Sequence, residues 1–403
     1  MIHKLIFILE TLFYLYLAFS TLYLFIFALA GIFRFRNNTF KETRKRKMVV
    51  LIPGYREDDV IVDVAIEALN QDYGTENYNV AIIADGFQPK TIQALKKLQV
   101  KVFEVKLEFS TKSRALNAAL DQLDNSYEVA VVLDADNIME PGFLTKVNGA
   151  FCAGYKIVQG HRIAKNMDTS FAILDAVSEE INNHIFRKGH WRLGFSSSLI
   201  GSAMAFDYAY FKSMMKEVKV VGGFDKELEV RILRERKKIV YLQDAYVYDE
   251  KVSNAKVFTK QRRRWISAQI HYFGKSFLPS LKELILHGNI DLFNKALQFI
   301  LLPRILLISL LFIISMGYLI FAPINLFLLW LPVFVLCVLV FLLSIPRYFY
   351  NLRTLRAITR LPLGIFLTLI SVFKFKGSNK EYLHTKHTYN AFQIKHPWNH
   401  PKK

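Results

Sequence analysis

Val129-Ala130-Val131-Val132-Leu133-Asp134-Ala135-Asp136-Asn137 is an apolar run that ends in two carboxylates spaced two residues apart. A short β-branched run bounded by polar residues reads as a buried strand. Two acids directly after such a strand are costly unless something neutralises them. Alternation along an extended chain points both the same way. A hard divalent cation such as Mg2+ or Mn2+, bound also by a diphosphate, supplies that neutralisation. Asp-x-Asp also occurs by chance in loops, so its place at a strand end is what gives it weight.

Upstream, Met48–Ile52, Val80–Ala84 and Lys101–Val105 are further short apolar or β-branched runs. Helix-like stretches lie between them, near Val60–Asn70, Pro89–Leu98 and Lys112–Gln122. This alternation predicts an α/β fold, a parallel sheet covered by helices on both faces. In such sheets ligands bind beyond the carboxyl ends of the strands. At those ends stand Pro53-Gly54-Tyr55-Arg56-Glu57 and Asp85-Gly86. Tyr55 offers a flat face for a base, Glu57 can accept from ribose or base, and Asp85 can hold a base or sugar edge; both stretches read equally well as turns. Thr111-Lys112-Ser113-Arg114 opens a helix whose amino terminus favours anions, and Lys112 and Arg114 add positive charge; taken in isolation the stretch reads as a solvated helix start.

Downstream of Gly160 the pattern is more helical as far as Val257–Phe273. Within it, Gly222-Gly223-Phe224-Asp225-Lys226-Glu227-Leu228-Glu229 places acids at alternate positions where a helix begins. They complement the helix dipole, or one of them serves as general base to a hydroxyl nucleophile. Gln261-Arg262-Arg263-Arg264-Trp265 pairs a ring that can stack on a sugar with groups that can hold phosphate. The other reading is a basic helix on a membrane surface, served by Arg262 and Arg263.

The 403 residues allow one large domain or two smaller ones, and their apolar residues concentrate in the first thirty-odd positions and in Ala296–Phe375. Leu5–Phe33 exceeds the ~20 residues that cross a hydrocarbon core. It is too long for a signal-peptide core and reads as a retained helix with its amino end outside and Glu10 near the outer end. Ile305–Phe321 and Leu326–Ile345 read as a transmembrane hairpin; Leu361–Phe375, with Pro362 and Gly364, reads as interfacial. The net charge of +19 sits largely beside these segments, in Arg34, Arg36, Lys41 and Arg44–Lys47, and in Arg347, Arg353, Arg356 and Arg360. That points to membrane lipids and a cytoplasmic flank, and away from nucleic acid. Cys152 and Cys337 have no metal spacing and no expected disulfide, which fits a reducing compartment. His384-Thr385-Lys386-His387 lacks partners at ligand spacing and reads as structural.

Together, the Asp-Ala-Asp, Gly-Gly-Phe-Asp-Lys-Glu-Leu-Glu and Gln-Arg-Arg-Arg-Trp segments, in that order, resemble the family 2 glycosyltransferases. That group includes cellulose, chitin and hyaluronan synthases and many bacterial polysaccharide enzymes. The resemblance covers about Met48–Phe273 and extends to the flanking membrane helices. It implies a GT-A nucleotide-binding sheet at 48–275, behind a membrane helix and basic linker at 1–47 and before a membrane hairpin and basic tail at 276–403. By the same resemblance Pro53, Tyr55, Glu57, Asp85 and Lys112 line the nucleotide pocket, with Asp134 on the nucleotide side and at the metal, and Asp136 on the metal itself. Gly201-Ser202-Ala203 looks like the family's small-residue stretch beside donor sugar and acceptor, and Gln261, Arg264 and Trp265 would bind diphosphate and acceptor. Where the family has Glu-Asp this chain has Phe224-Asp225; the alignment makes Asp225 the catalytic base, with Glu227 as rival.

The expected reaction is inverting transfer from a nucleotide-sugar, by family habit a UDP-sugar, to a lipid-linked or glycan acceptor at the cytoplasmic face of a bacterial inner membrane. Three firm membrane helices are few for a polymer channel, so single additions or an export partner protein are expected. A polyprenyl-phosphate glycosyltransferase is the nearest alternative, and the Gln-Arg-Arg-Arg-Trp segment argues against it. A transporter would need charge inside its apolar segments, which are almost free of it. A noncatalytic scaffold with this fold would be expected to lose Asp136 or Arg264, and both are present.

Overall fold

The computed structural model describes residues 2–33, 40–220, 222–321 and 323–374. Arg34, Arg36, Phe375 and the His384–His387 segment lie outside the described residues. The chain opens with α1 (Ile2–Ile32). Then follow β1 (Met48–Tyr55), α2 (Ile61–Leu69), β2 (Tyr78–Asp85), α3 (Pro89–Lys96), β3 (Lys101–Val105), α4 (Lys112–Gln122) and β4 (Val129–Val132). These are the expected strands and helices, with β1 running three residues further, through the Pro53-Gly54 pair.

The second half differs from expectation. It contains β5 (Ile138–Met139), α5 (Phe143–Cys152), β6 (Ile157–Ala164), α6 (Ser170–Asn182), a π-helical segment Asn183–Gly189 and α7 (His190–Arg192). Then come β7 (Met204–Asp207), α8 (Tyr208–Met215), α9 (Phe224–Arg234) and β8 (Val240–Asp249). The sheet order is β3-β2-β1-β4-β7-β6-β8-β5. β1, β2, β3 and β4 run parallel, whereas β7 lies antiparallel to both β4 and β6, and β5 antiparallel to β8. The sheet is therefore mixed, not wholly parallel. The region after Gly160 supplies strands because β6 and β8 carry polar residues such as Gln159, Arg162 and Asp249 that are satisfied inside the protein, which hides the apolar pattern.

Helices cover both faces of the sheet. Met48, Val50 and Ile52 point to a core with α2 and α5, while Val49 and Leu51 point to one with α4, α8 and α9. This period-two split drives each strand's register, and each fully buried Val, Leu or Ile contributes roughly 1.5–3 kcal/mol.

The remaining elements are α10 (Ala255–His287), α11 (Ile290–Gln298), α12 (Arg304–Phe321), α13 (Ile324–Ser344), α14 (Leu352–Ile358) and α15 (Leu361–Phe373). The expected domain boundary at residue 275 falls inside α10. His3–Ile32, Arg304–Phe321 and Ile324–Ser344 are long and apolar enough to cross a membrane. The α14–α15 pair, bent by 48°, would make a fourth if it is one span. Leu307, Leu311, Trp330, Cys337 and Val340 fill the space between α1, α12 and α13. α6 belongs to the same cluster through Ile173, Ala176, Val177 and Ile181. Towards the first turns of α1, the Tyr318 hydroxyl of α12 donates to the Glu10 carboxylate.

Candidate active site

The strands β1, β2 and β4 end side by side because they are neighbours in register, with Tyr55 opposite Asp85 and Leu51 opposite Val132. A cleft of about 460 Å³ opens beyond those ends. Pro53, Tyr55 and Glu57 line it from β1, Asp85 from β2, and Asp134 and Asp136 from β4. Thr111 caps α4 by accepting from the Arg114 amide at 3.2 Å, and so sets Lys112 at the first helical position, facing the cleft. The far wall is the turn after β8 and the first three turns of α10, including Gln261, Arg264 and Trp265. One surface thus gathers the strand-end residues, Lys112, Gln261, Arg264 and Trp265, whereas Gly201, Ser202, Asp225 and Glu227 do not line it.

Asp134 pairs with Lys112, whose ammonium also donates to the Gly201 carbonyl at 2.6 Å. The Asp134 carboxylate lies 3.8 Å from Arg162. Asp136 is buried, and its oxygens accept from the Glu250 amide at 2.8 Å and from Asn137 Nδ2 at 3.2 Å. The same Asn137 amide donates to Asp249 at 3.1 Å, tying the end of β4 to the end of β8. Burial raises the Asp85 carboxyl above its ordinary value, an effect tempered by Ser110 and Arg56.

Behind the cleft is a charge network that sequence reasoning missed. Arg162 on β6 binds Glu179 of α6 at 2.8 Å and Asp249 at 3.4 Å. Lys251 pairs with Asp249 at 2.7 Å and with Glu179. Burial alone would raise the Glu179 carboxyl, but Arg162 and Lys251 outweigh it and hold the group well below the usual carboxylate range. Asp249 ends a strand just as Asp85 does, so recognising β8 would have found it. Arg162 gives no such signal, because it sits mid-strand.

The expected base candidates separate clearly. Glu227 is buried and accepts from Arg231 at 2.7 Å and from Lys275 at 2.8 Å. Asp225 is partly exposed, 3.5 Å from Lys226 and beside Gly201. The Gly201 carbonyl accepts from the cleft residue Lys112, while Ser202 is buried, its hydroxyl 3.4 Å from Arg162. Arg262 does not face a membrane surface: it turns inward to Asp175 of α6 at 3.1 Å and packs 4.6 Å from the Trp265 ring.

The donor set at the strand ends suits a hard cation. Among the described residues no cluster of three or more His, Cys, Asp or Glu forms a metal cage. Asp136 and Asp249 instead offer two carboxylates bridged by Asn137 on the cleft wall. An ion that keeps part of its coordination for substrate phosphates needs only one or two protein carboxylates.

Comparison with known proteins bears on the family and the fold. The sequence model of the glycosyltransferase-like family 2 matches residues 46–268. No curated protein matches the chain in sequence. Among solved structures, the mannosyltransferase PcManGT from Pyrobaculum calidifontis, in complex with GDP-Man and Mn2+, superposes with a TM-score of 0.52 at 14% identity, covering 89% of this chain and 95% of that one. S. aureus TarS in complex with UDP-GlcNAc gives 0.42 at 14% identity over 84% and 93%. Glucosyl-3-phosphoglycerate synthase from Mycobacterium tuberculosis, with Mn2+, UDP and phosphoglyceric acid, gives 0.38 at 16% identity over 55% and 76%. With its GT-A sheet and a family match over more than half its length, the chain belongs to the glycosyltransferase-like family 2 and is a glycosyltransferase carrying three helices long and apolar enough to cross a membrane.

Proposed function

We propose that the protein transfers a sugar, with inversion, from a UDP-sugar to a lipid-linked or glycan acceptor held at the cytoplasmic face of a bacterial inner membrane, in cell-surface glycan synthesis. One observation carries the acceptor's place. α6 turns Asp175 towards Arg262 of α10 and Glu179 towards the cleft cations Arg162 and Lys251, and its opposite face packs among the membrane helices. α15 flanks the same wall, with Ser371 donating to the Thr259 carbonyl of α10 at 3.4 Å. The mouth beside Gln261 and Trp265 is thus framed by membrane-associated elements. Basic flanks after α1 and α13, with an uncharged α12–α13 turn, support the cytoplasmic orientation. The packed space between α1, α12 and α13 supports single additions, or export through a partner protein, over a self-contained channel.

In this reading Tyr55, Glu57 and Asp85 hold the nucleoside, while Lys112 and Arg264 face the diphosphate. Mg2+ or Mn2+, held by Asp136 and Asp249, with Asp134 nearby, would neutralise charge on the leaving nucleoside diphosphate. Asp225 takes the proton of the acceptor hydroxyl as that oxygen bonds to the anomeric carbon. The carbon–oxygen bond to the diphosphate breaks, and its electron pair leaves with the diphosphate. Glu227 is already committed to two cations, which favours Asp225 as base. Gln261 and Trp265 orient the acceptor, and orientation of this kind removes a large part of the barrier.

The test is release of nucleoside diphosphate from a panel of nucleotide-sugars by the purified protein in lipid, with Mg2+ or Mn2+ and a membrane-lipid extract as acceptor source. Turnover of one donor, lost in Asp136→Asn, is expected. A folded protein that binds no donor in the panel refutes the reading.

A further inference from the structure

A second polar network lies outside the cleft, on the side where α1 meets the catalytic domain. Lys295 of α11 is buried, with its ammonium 2.8 Å from Glu229 Oε1, 3.2 Å from Ser198 Oγ and 3.0 Å from Gln298 Oε1. The other Glu229 oxygen accepts from the Leu199 amide at 3.3 Å. Glu229 lies one helical turn beyond Asp225 on α9. One ion pair therefore grips both the helix that carries Asp225 and the loop that runs into Gly201.

Burial pushes the Glu229 carboxyl up and the Lys295 ammonium down, so each is stable as an ion only beside the other. A buried pair is weak evidence for stability, since apolar residues of similar size often serve as well. What apolar residues would lose here is the directed contact to the loop amide and to Ser198.

The network continues into the membrane helix. Gln298 donates to His190 Nε2 at 3.1 Å, and His190 Nδ1 donates to the Ile185 carbonyl at 2.7 Å. Burial takes this imidazole down to about 3, so it is neutral. The Tyr23 hydroxyl of α1 stands 3.0 Å from His190 Nε2 and donates to Asn294 of α11 at 2.8 Å. α1 has 31 residues, longer than the ~20 that span a hydrocarbon core, so its inner turns must leave the lipid. There Tyr23, Leu24, Phe27 and Ala28 are buried. The Phe27 carbonyl approaches Gly189 so closely that any Cβ would collide with it.

We infer that Lys295 and Glu229 are positioning residues, a buried brace that sets the Ser196–Ala203 loop against the Asp225 helix, and that Tyr23 anchors this brace to α1. The membrane helix is then part of the catalytic apparatus as well as a tether. The inference rests on the reading of Asp225 and Gly201 as transfer groups.

The experiment uses the full chain in lipid nanodiscs and compares wild type with Lys295→Met, Lys295→Arg and Tyr23→Phe. Hydrogen exchange across residues 196–203 is read first, because it needs no substrate and stands even if the donor assignment fails. Exchange is expected to rise roughly tenfold in Lys295→Met and several-fold in Tyr23→Phe, as buried partners lose their hydrogen bonds. Lys295→Arg should restore most of the protection, and peptides from β1 and β2 should not change. Protection equal to wild type in both Lys295→Met and Tyr23→Phe overturns the brace. If Lys295→Met does not fold, Tyr23→Phe, which removes only the hydroxyl, decides by the same readout. With the donor from the panel, kcat is then expected to fall roughly tenfold in Lys295→Met while donor KM stays within about twofold. Unchanged kcat with a raised donor KM overturns the positioning role, whereas a wild type inert on every donor counts against the proposed function and leaves the exchange result to judge the brace.

Discussion

The Cβ of Asp225 stands 4.0 Å from the point where a side chain on Gly201 would begin, so the start of α9 and the glycine loop form one surface. Gly201 adopts φ 89°, which L side chains rarely take, and its carbonyl holds Lys112 at 2.6 Å. A Cβ there costs about 1–3 kcal/mol of backbone strain and tends to swing that carbonyl away. Gly201→Ala is expected to lower kcat/KM at least about tenfold, more than its modest loss in Tm explains. Steady-state kinetics and thermal melts of the same preparation check it.

Asp225 and Glu227 separate by variant as they do by contact. Asp225→Asn should leave donor affinity near wild type and lower kcat by about 10²–10⁴-fold, the usual contribution of a general base. Glu227→Gln should keep much of its activity. It loses stability by about 1–3 kcal/mol, since Arg231 and Lys275 lose a charged acceptor, with the Lys275 share reduced by that residue's exposure. Donor titration, kcat and denaturant midpoints distinguish the two. An active Asp225→Asn beside a folded, inactive Glu227→Gln would reassign the base.

The strand-end wall of the cleft was legible in the sequence because Asp85 and Asp134 directly follow apolar runs and Tyr55 and Asp136 stand three residues beyond theirs. The opposite wall was legible through Gln261, Arg264 and Trp265, a local cluster on one helix. Arg162, Glu179, Asp249 and Lys251 were not, because their meaning lies in pairing across β6, α6 and β8, far apart in the chain. The same pairing lets charged residues sit in buried strands and so masks β6 and β8 themselves. Lys295 and Glu229 are hidden for a related reason, since each looks like an ordinary helix-surface charge until α11 packs against α9.

Asp136 and Asp249 share the Asn137 amide, so the proposed cation site is expected to fail from either side. Asp136→Asn and Asp249→Asn should each weaken Mn2+ binding measured calorimetrically in the presence of UDP, by about tenfold or more. Chelation by EDTA should stop turnover in the wild type, with recovery on adding Mg2+ or Mn2+. Asp249→Asn should also destabilise the fold, because Arg162 and Lys251 lose a buried partner. Wild-type Mn2+ affinity in both variants would remove these residues from the site.

His161, next to Arg162 on β6, should make stability pH-dependent. Its Nδ1 donates to the Gln243 carbonyl at 2.8 Å, and its Nε2 lies 3.0 Å from Glu180 of α6. Arg187 and the rings of Tyr241 and Tyr246 face it as well. Burial alone would lower this imidazole, but the Glu180 carboxylate and the Gln243 carbonyl outweigh burial and leave it raised. A raised folded-state value means that protonation favours the fold. The contribution is complete below the unfolded value of about 6.5 and is lost as pH rises through the folded one. Denaturant midpoints are therefore expected to fall as pH climbs above about 6.5. Glu180→Gln removes the charge that raises His161, so it should cost most at the acid end of that window and flatten the slope. A slope that survives unchanged in Glu180→Gln would assign the pH dependence to other groups.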